Sequence, residues 1–170
     1  MSGLWGVKGV PQSGWTFLYM TDVREDGTPA DETNYATCEM CGKDHIRYVH
    51  RMGHEKYHKD LDVGCICSER MSGDTVNPKR REATFRKRIG RRRTWLTRKW
   101  KVSKKGSSYL NVEGFNLGIF ESKFGKWNYW IKRIGETDSD FGKVWYRDEG
   151  TAKLALFDAL WELLESEGMV

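Results

Sequence analysis

Long apolar runs are missing from this 170-residue chain. No segment approaches the ~20 apolar residues that a helical membrane span requires. Residues 1–15 carry neither the basic start nor the apolar stretch of a secretory leader. Proline is scarce, at three residues, and with 38% apolar content this argues against a disordered tail. Acid is almost absent from one region: Glu82 is the single acidic residue between positions 79 and 105. Several motifs are missing as well. There is no phosphate loop of the G-x-x-x-x-G-K-S/T form, no helix-turn-helix, no RNP1 aromatic motif and no KH-type G-x-x-G, so the commonest nucleotide and nucleic-acid modules are excluded.

Aromatic residues are abundant. Eight Trp, seven Tyr and seven Phe supply enough buried area for one domain or two small ones. The pattern predicts an α+β protein in three parts. Residues 1–74 read as a zinc-binding β-rich module, with a strand over 15–23, turn chemistry at Asp26-Gly27-Thr28-Pro29 and a hairpin from 46–50 and 60–63. Residues 75–101 read as a basic helical segment started by Asn77-Pro78. Phe85, Ile89, Leu96 and Trp100 recur there at helical spacing as a buried stripe, and Gly90 allows a kink or a break into two helices. Residues 102–170 read as an antiparallel sheet covered by one helix. Its strands fall at 107–112, 115–120, 126–132 and 143–146, and the helix spans 149–166 with Ala152, Ala155, Leu156, Ala159, Leu160, Leu163 and Leu164 on its apolar side.

The four cysteines come in tight pairs. Cys38 and Cys41 precede Gly42, and Cys65 and Cys67 follow the second hairpin strand. Zinc takes four soft or borderline ligands in a tetrahedron, and paired cysteines deliver two at a time. The expected ligand set is Cys38, Cys41, Cys65 and Cys67. The one-residue spacer of the second pair leaves room for His45, His50, His54 or His58 to replace a thiolate. Free thiols at metal spacing also fit a reducing compartment, here the cytoplasm. Knuckle, hairpin and ligands at a helix start resemble a treble-clef zinc finger over residues 36–73. Asp44-His45-Ile46 resembles the Asp-His-Ile stretch of HNH-type nucleases, but it follows Cys41 almost directly and lacks the further Asn or His of such a site. No catalytic residue is therefore assigned. His50, His54 and His58 read as part of a solvated hairpin tip over 51–59.

Fourteen Lys or Arg crowd residues 79–105, a net of +13, which leaves −8 on the rest of a chain whose total is +5. Such a footprint suits phosphate. The candidate contacts are Arg80, Arg81, Arg86, Lys87, Arg88, Arg91, Arg92, Arg93, Arg98, Lys99, Lys101, Lys104 and Lys105. Trp95, Trp100, Tyr109, Trp127, Tyr129 and Trp130 are candidates to stack on unpaired bases.

The cysteine block, the Arg91-x-x-x-Trp95-Leu96-x-Arg98-x-Trp100 segment and the final sheet-then-helix layout together resemble treble-clef-like zinc proteins of bacterial mobile elements and phages. The resemblance implies a mobile-element context and assigns no activity. The expected function is that of a zinc-stabilised, non-enzymatic nucleic-acid-binding protein with DNA or RNA as partner and no membrane. The alternative is an inhibitor or accessory subunit that docks on a host nucleoprotein complex.

Overall fold

Alternating apolar positions build the first of two compact units, Met1–Arg86 and Lys87–Val170, in a computed structural model that describes residues 3–24 and 28–170. Asp26 and Gly27 of the expected turn lie outside the described residues. In the first unit β1 (Thr16–Asp22), β2 (Tyr48–Gly53) and β3 (Leu61–Val63) form an antiparallel sheet in that order. His50 pairs with Val63 and Met52 with Leu61, and all four are buried. Their face meets α1 (Cys65–Ser72), where Ser68 Oγ lies 3.3 Å from Met52 Sδ and Met71 is buried. Gly73 ends α1 in the left-handed region, φ 73°, which a residue without Cβ adopts at no steric cost. The helix begins at Cys65, so both Cys65 and Cys67 sit in its first turn.

The expectation of a solvated His50 is corrected. The loop beyond Gly53 is the exposed tip; His50 sits inside β2 on the core side, with 0% exposure. Among the other histidines, His58 is exposed and His54 half-buried, its ring 5.2 Å from that of Trp15.

Helix α2 (Asn77–Arg93) runs unbroken through Gly90. Asn77 does not cap it. Asp74 accepts the Val76 and Asn77 amides at 3.1 and 2.9 Å instead. The apolar stripe is also corrected. Phe85 and Ile89 are half-buried, but α2 ends before Leu96 and Trp100, and Leu96 is 44% exposed. The buried anchor is Trp95, at 0% exposure, against Trp100 and Phe157.

The second unit holds β4 (Lys101–Val102), β5 (Ser108–Val112), β6 (Phe115–Glu121), β7 (Trp127–Arg133) and β8 (Asp140–Phe141), an antiparallel sheet in that order. Glu113 and Gly114 both take positive φ in the tight turn between β5 and β6. Helix α3 (Glu149–Ser166) starts at Asp148, whose side chain accepts the Thr151 amide at 2.8 Å, and packs on β6 and β7. Leu117, Ile119, Ile131, Leu156, Phe157, Leu160 and Leu164 form this core. Phe157 and Trp161 extend the buried side beyond the expected alanines and leucines. The strand expected at 143–146 reduces to one bridge between Tyr146 and Trp127, and just before it Asn128 Nδ2 donates to the Gly142 carbonyl at 3.0 Å. The fold is α+β, with two antiparallel sheets, and among the described residues no helix is long and apolar enough to cross a membrane.

Urea unfolding distinguishes the buried anchors from the exposed stripe. Phe157→Ala is expected to lower stability by about 3–5 kcal/mol. Leu96→Ala is expected to change it by no more than about 0.5 kcal/mol, as for other surface positions. Equal losses at the two positions would contradict this placement.

Candidate functional site

Short-range geometry around Gly42 turns the chain back on itself. Gly42 adopts φ 74°, its amide donates to the Cys38 carbonyl at 2.8 Å, and the Cys38 amide donates to the Lys43 carbonyl at 2.8 Å. This loop presents Cys38 and Cys41 toward one point. The N-terminal segment straps it in place: the Leu4 and Trp5 amides donate to the Met40 carbonyl at 2.9 and 3.1 Å. A Cβ at Gly3 would lie 2.5 Å from Cys41 Cα, so the strap needs glycine there. The first turn of α1 adds Cys67. The sulfurs of Cys38, Cys41 and Cys67 all lie within 4.8 Å of one another, and none is in a disulfide. A hydrogen bond from the Cys67 thiol, opposed by burial and helped by the Gly64 and Cys41 amides, holds the Cys38 thiol down to about 5. The same pairing, with burial, pushes Cys67 up. The trio is a geometry compatible with a metal site.

Cys65 does not join the trio. Residues two apart on an α-helix are rotated by about 200°, so Cys65 and Cys67 face different ways once both are helical. Cys65 groups instead with His50 and Glu82, whose ligand atoms lie within 4.8 Å of one another. Burial, then Glu82 and Glu69, pushes the Cys65 thiol up to about 11. Burial also pushes the His50 imidazole down, against the pull of Glu82. Among the described residues, none of His45, His50, His54 and His58 groups with the trio. His45 takes φ 63° in the turn after the knuckle, with its ring 5.6 Å from that of Tyr35. A cleft of about 750 Å³ opens over Cys38, Cys41, Cys65, Cys67, Glu82 and Arg86.

Much of the basic block is committed inside its own unit. Arg86 pairs with Glu82 and lies over Tyr48; Arg81 lies 4.0 Å over Phe17; Lys79 meets Glu69 at 3.2 Å. Arg88 and Arg92 share Asp158, at 3.3 and 3.1 Å. Arg91 reaches Glu113 at 2.8 Å and covers Trp161, and Arg98 covers Trp95. Among the described residues Arg80, Lys87, Arg93, Lys99, Lys104 and Lys105 have no acidic partner; Lys101 lies over the ring of Tyr109. Sequence reasoning missed the clamps on Asp158 and Glu113 because both acids are distant in the chain.

The aromatic candidates also separate. Trp95 is buried, and Trp127 and Tyr129 pack on the α3 side of the sheet. Tyr109 and Trp130 lie on the other face. The pairing runs Lys101, Tyr109, Gly118, Trp130, Phe141 in one row across all five strands. The Trp130 indole lies over Gly118 and leaves no space for a Cβ there. The next row is Asn111, Asn116, Lys132. A hollow of about 570 Å³ on this face is lined by Lys104, Lys105, Tyr109, Asn111, Asn116 and Trp130.

Comparison with protein-family models, curated proteins and solved structures finds no match for this chain.

Metal analysis of the purified protein tests the trio. The parent is expected to carry metal at the trio, Cys38→Ser and Cys67→Ser to lose it, and both changes to lower the thermal midpoint of the protein, as chelation of the parent should. A parent protein that carries no metal and melts at the same temperature with and without chelator would contradict the site.

Proposed function

We propose that this chain is a zinc-stabilised, non-enzymatic nucleic-acid-binding protein that takes a single strand on the open face of its five-stranded sheet. The observation that carries the reading is the row Lys101, Tyr109, Gly118, Trp130, Phe141. Its glycine clears the surface so that an indole lies flat, and flat aromatic faces are what unstacked bases bind. Lys104, Lys105 and Lys132 supply phosphate contacts beside them, and Asn111 and Asn116 offer both donors and acceptors to base edges. A duplex keeps its bases stacked and cannot use such a platform. Helix α2 is a poor recognition helix, because Arg86, Arg88, Arg91 and Arg92 already hold acids of the protein.

The first unit supports the treble-clef-like reading: a glycine-ended knuckle, the β2–β3 hairpin, and a ligand in the first turn of α1. Zinc fits its all-thiolate donors better than hard cations do. Four unpaired thiols favour a reducing compartment such as the cytoplasm.

Anisotropy titrations with labelled single-stranded and duplex DNA and RNA, across a salt series, test the reading. Trp130→Ala is expected to weaken single-strand binding roughly 5- to 150-fold, the equivalent of about 1–3 kcal/mol of stacking. The double change Lys104→Ala and Lys105→Ala is expected to reduce the salt slope by about 0.7 per lost contact. A parent that prefers duplex, or a Trp130→Ala variant that binds as the parent does, would remove the sheet face from the argument. A parent that binds no nucleic acid would favour a protein partner, with exposed Phe141 and Trp145 as its contacts.

A further inference from the structure

His50 is the most unusual side chain in the first unit. It is fully buried, and neither ring nitrogen has a hydrogen-bond partner. Leaving a buried polar group unsatisfied is costly, so a completely enclosed imidazole with neither nitrogen paired calls for a partner. Three elements of the same unit converge on it. Strand β2 supplies His50, the first turn of α1 supplies Cys65, and α2 supplies Glu82. Glu82 divides its two oxygens: Oε1 takes Arg86, while Oε2 faces His50 Nε2 at 3.9 Å. Glu69 stands behind, with Oε1 3.7 Å from Cys65 Sγ and 3.2 Å from Lys79 Nζ.

We propose that His50, Cys65 and Glu82 form a second site for a divalent transition metal, separate from the Cys38, Cys41 and Cys67 trio. Their ligand atoms all lie within 4.8 Å of one another. Zinc bonds of roughly 2.0–2.3 Å to nitrogen, sulfur and oxygen need only a small contraction from that spacing. The donor set is one imidazole, one thiolate and one carboxylate, a mixed set that suits zinc or cobalt and excludes calcium and magnesium. A dication satisfies one of the two idle imidazole nitrogens. Cys65 and Glu82 line the cleft, which gives the ion an entry path, while His50 closes the site from below. The two groups share no residue, and the helical rotation between Cys65 and Cys67 keeps them apart.

Metal counting on the full chain decides the matter. After zinc loading and dialysis, the parent is expected to retain about two equivalents, and Glu82→Gln and His50→Gln about one each, with the trio still loaded. Circular dichroism of Glu82→Gln guards against a folding defect, since that side chain is partly exposed. Cobalt titration of the parent provides a second readout. It is expected to show two phases, of which the one with weaker sulfur-to-cobalt absorption disappears in Glu82→Gln. The proposal is overturned by a parent that binds one equivalent and keeps it in both variants. It is equally overturned if Cys65→Ser alone loosens that single ion, because Cys65 would then be the fourth ligand of the trio.

Discussion

The connection between β3 and α1 is one residue long, and the directions of the Cys65 and Cys67 thiols depend on it. Gly64 is extended and the helix begins at Cys65. Had the chain looped before turning helical, the second cysteine pair could have turned both sulfurs to one point as the first pair does. Helix geometry removes that freedom. It sends Cys67 toward the knuckle and Cys65 toward His50 and Glu82. The burial of Met52, Leu61 and Val63 against Met71 holds the helix in this rotation, so the hydrophobic core of the unit also sets the direction of the sulfurs.

Charge in the basic segment divides along similar lines. A run of fourteen cations looks like one ligand-binding surface, yet several members neutralise acids that the fold brings to them. Asp158 is the clearest case. It sits in α3 at the centre of a helix that is otherwise apolar toward the sheet, and two arginines close on it. The pairs are about one-third exposed, where an ion pair contributes about 0–1 kcal/mol. Their effect is positional rather than strongly stabilising, and the cations left over are the ones with charge to offer a partner.

The sequence made the elements with a strong period legible. The helix at 149–166 and the strands around Phe115 and Trp127 were readable because burial on one side imposes a period that few other constraints disturb. The paired cysteines pointed to a cluster of sulfurs, and three of the four, Cys38, Cys41 and Cys67, come together in a geometry compatible with a metal. Other features were not readable because they depend on distant residues. His50 is buried through its register with Val63, which no local pattern reveals. Trp95 anchors the second core from just beyond the end of α2, where the helical period no longer applies. Cys65 and Cys67 differ by one spacer residue, and their divergence follows from where the helix begins, a boundary that sequence reading places to within only a few residues.

Gly118 shows how a weak local choice can mark function. A glycine in the middle strand of a sheet gives up side-chain packing and roughly 0.5–1 kcal/mol relative to alanine. Nothing in the core requires it: the inward neighbours Leu117 and Ile119 pack against α3 whatever stands on the opposite face. The glycine serves the outer side, where Trp130 lies over it between Tyr109 and Phe141. A sheet under pressure only to fold would fill that position with a β-branched residue and stand the indole upright. On the proposed reading, this row is where an unstacked base would lie, with Lys104 and Lys105 lining the same hollow.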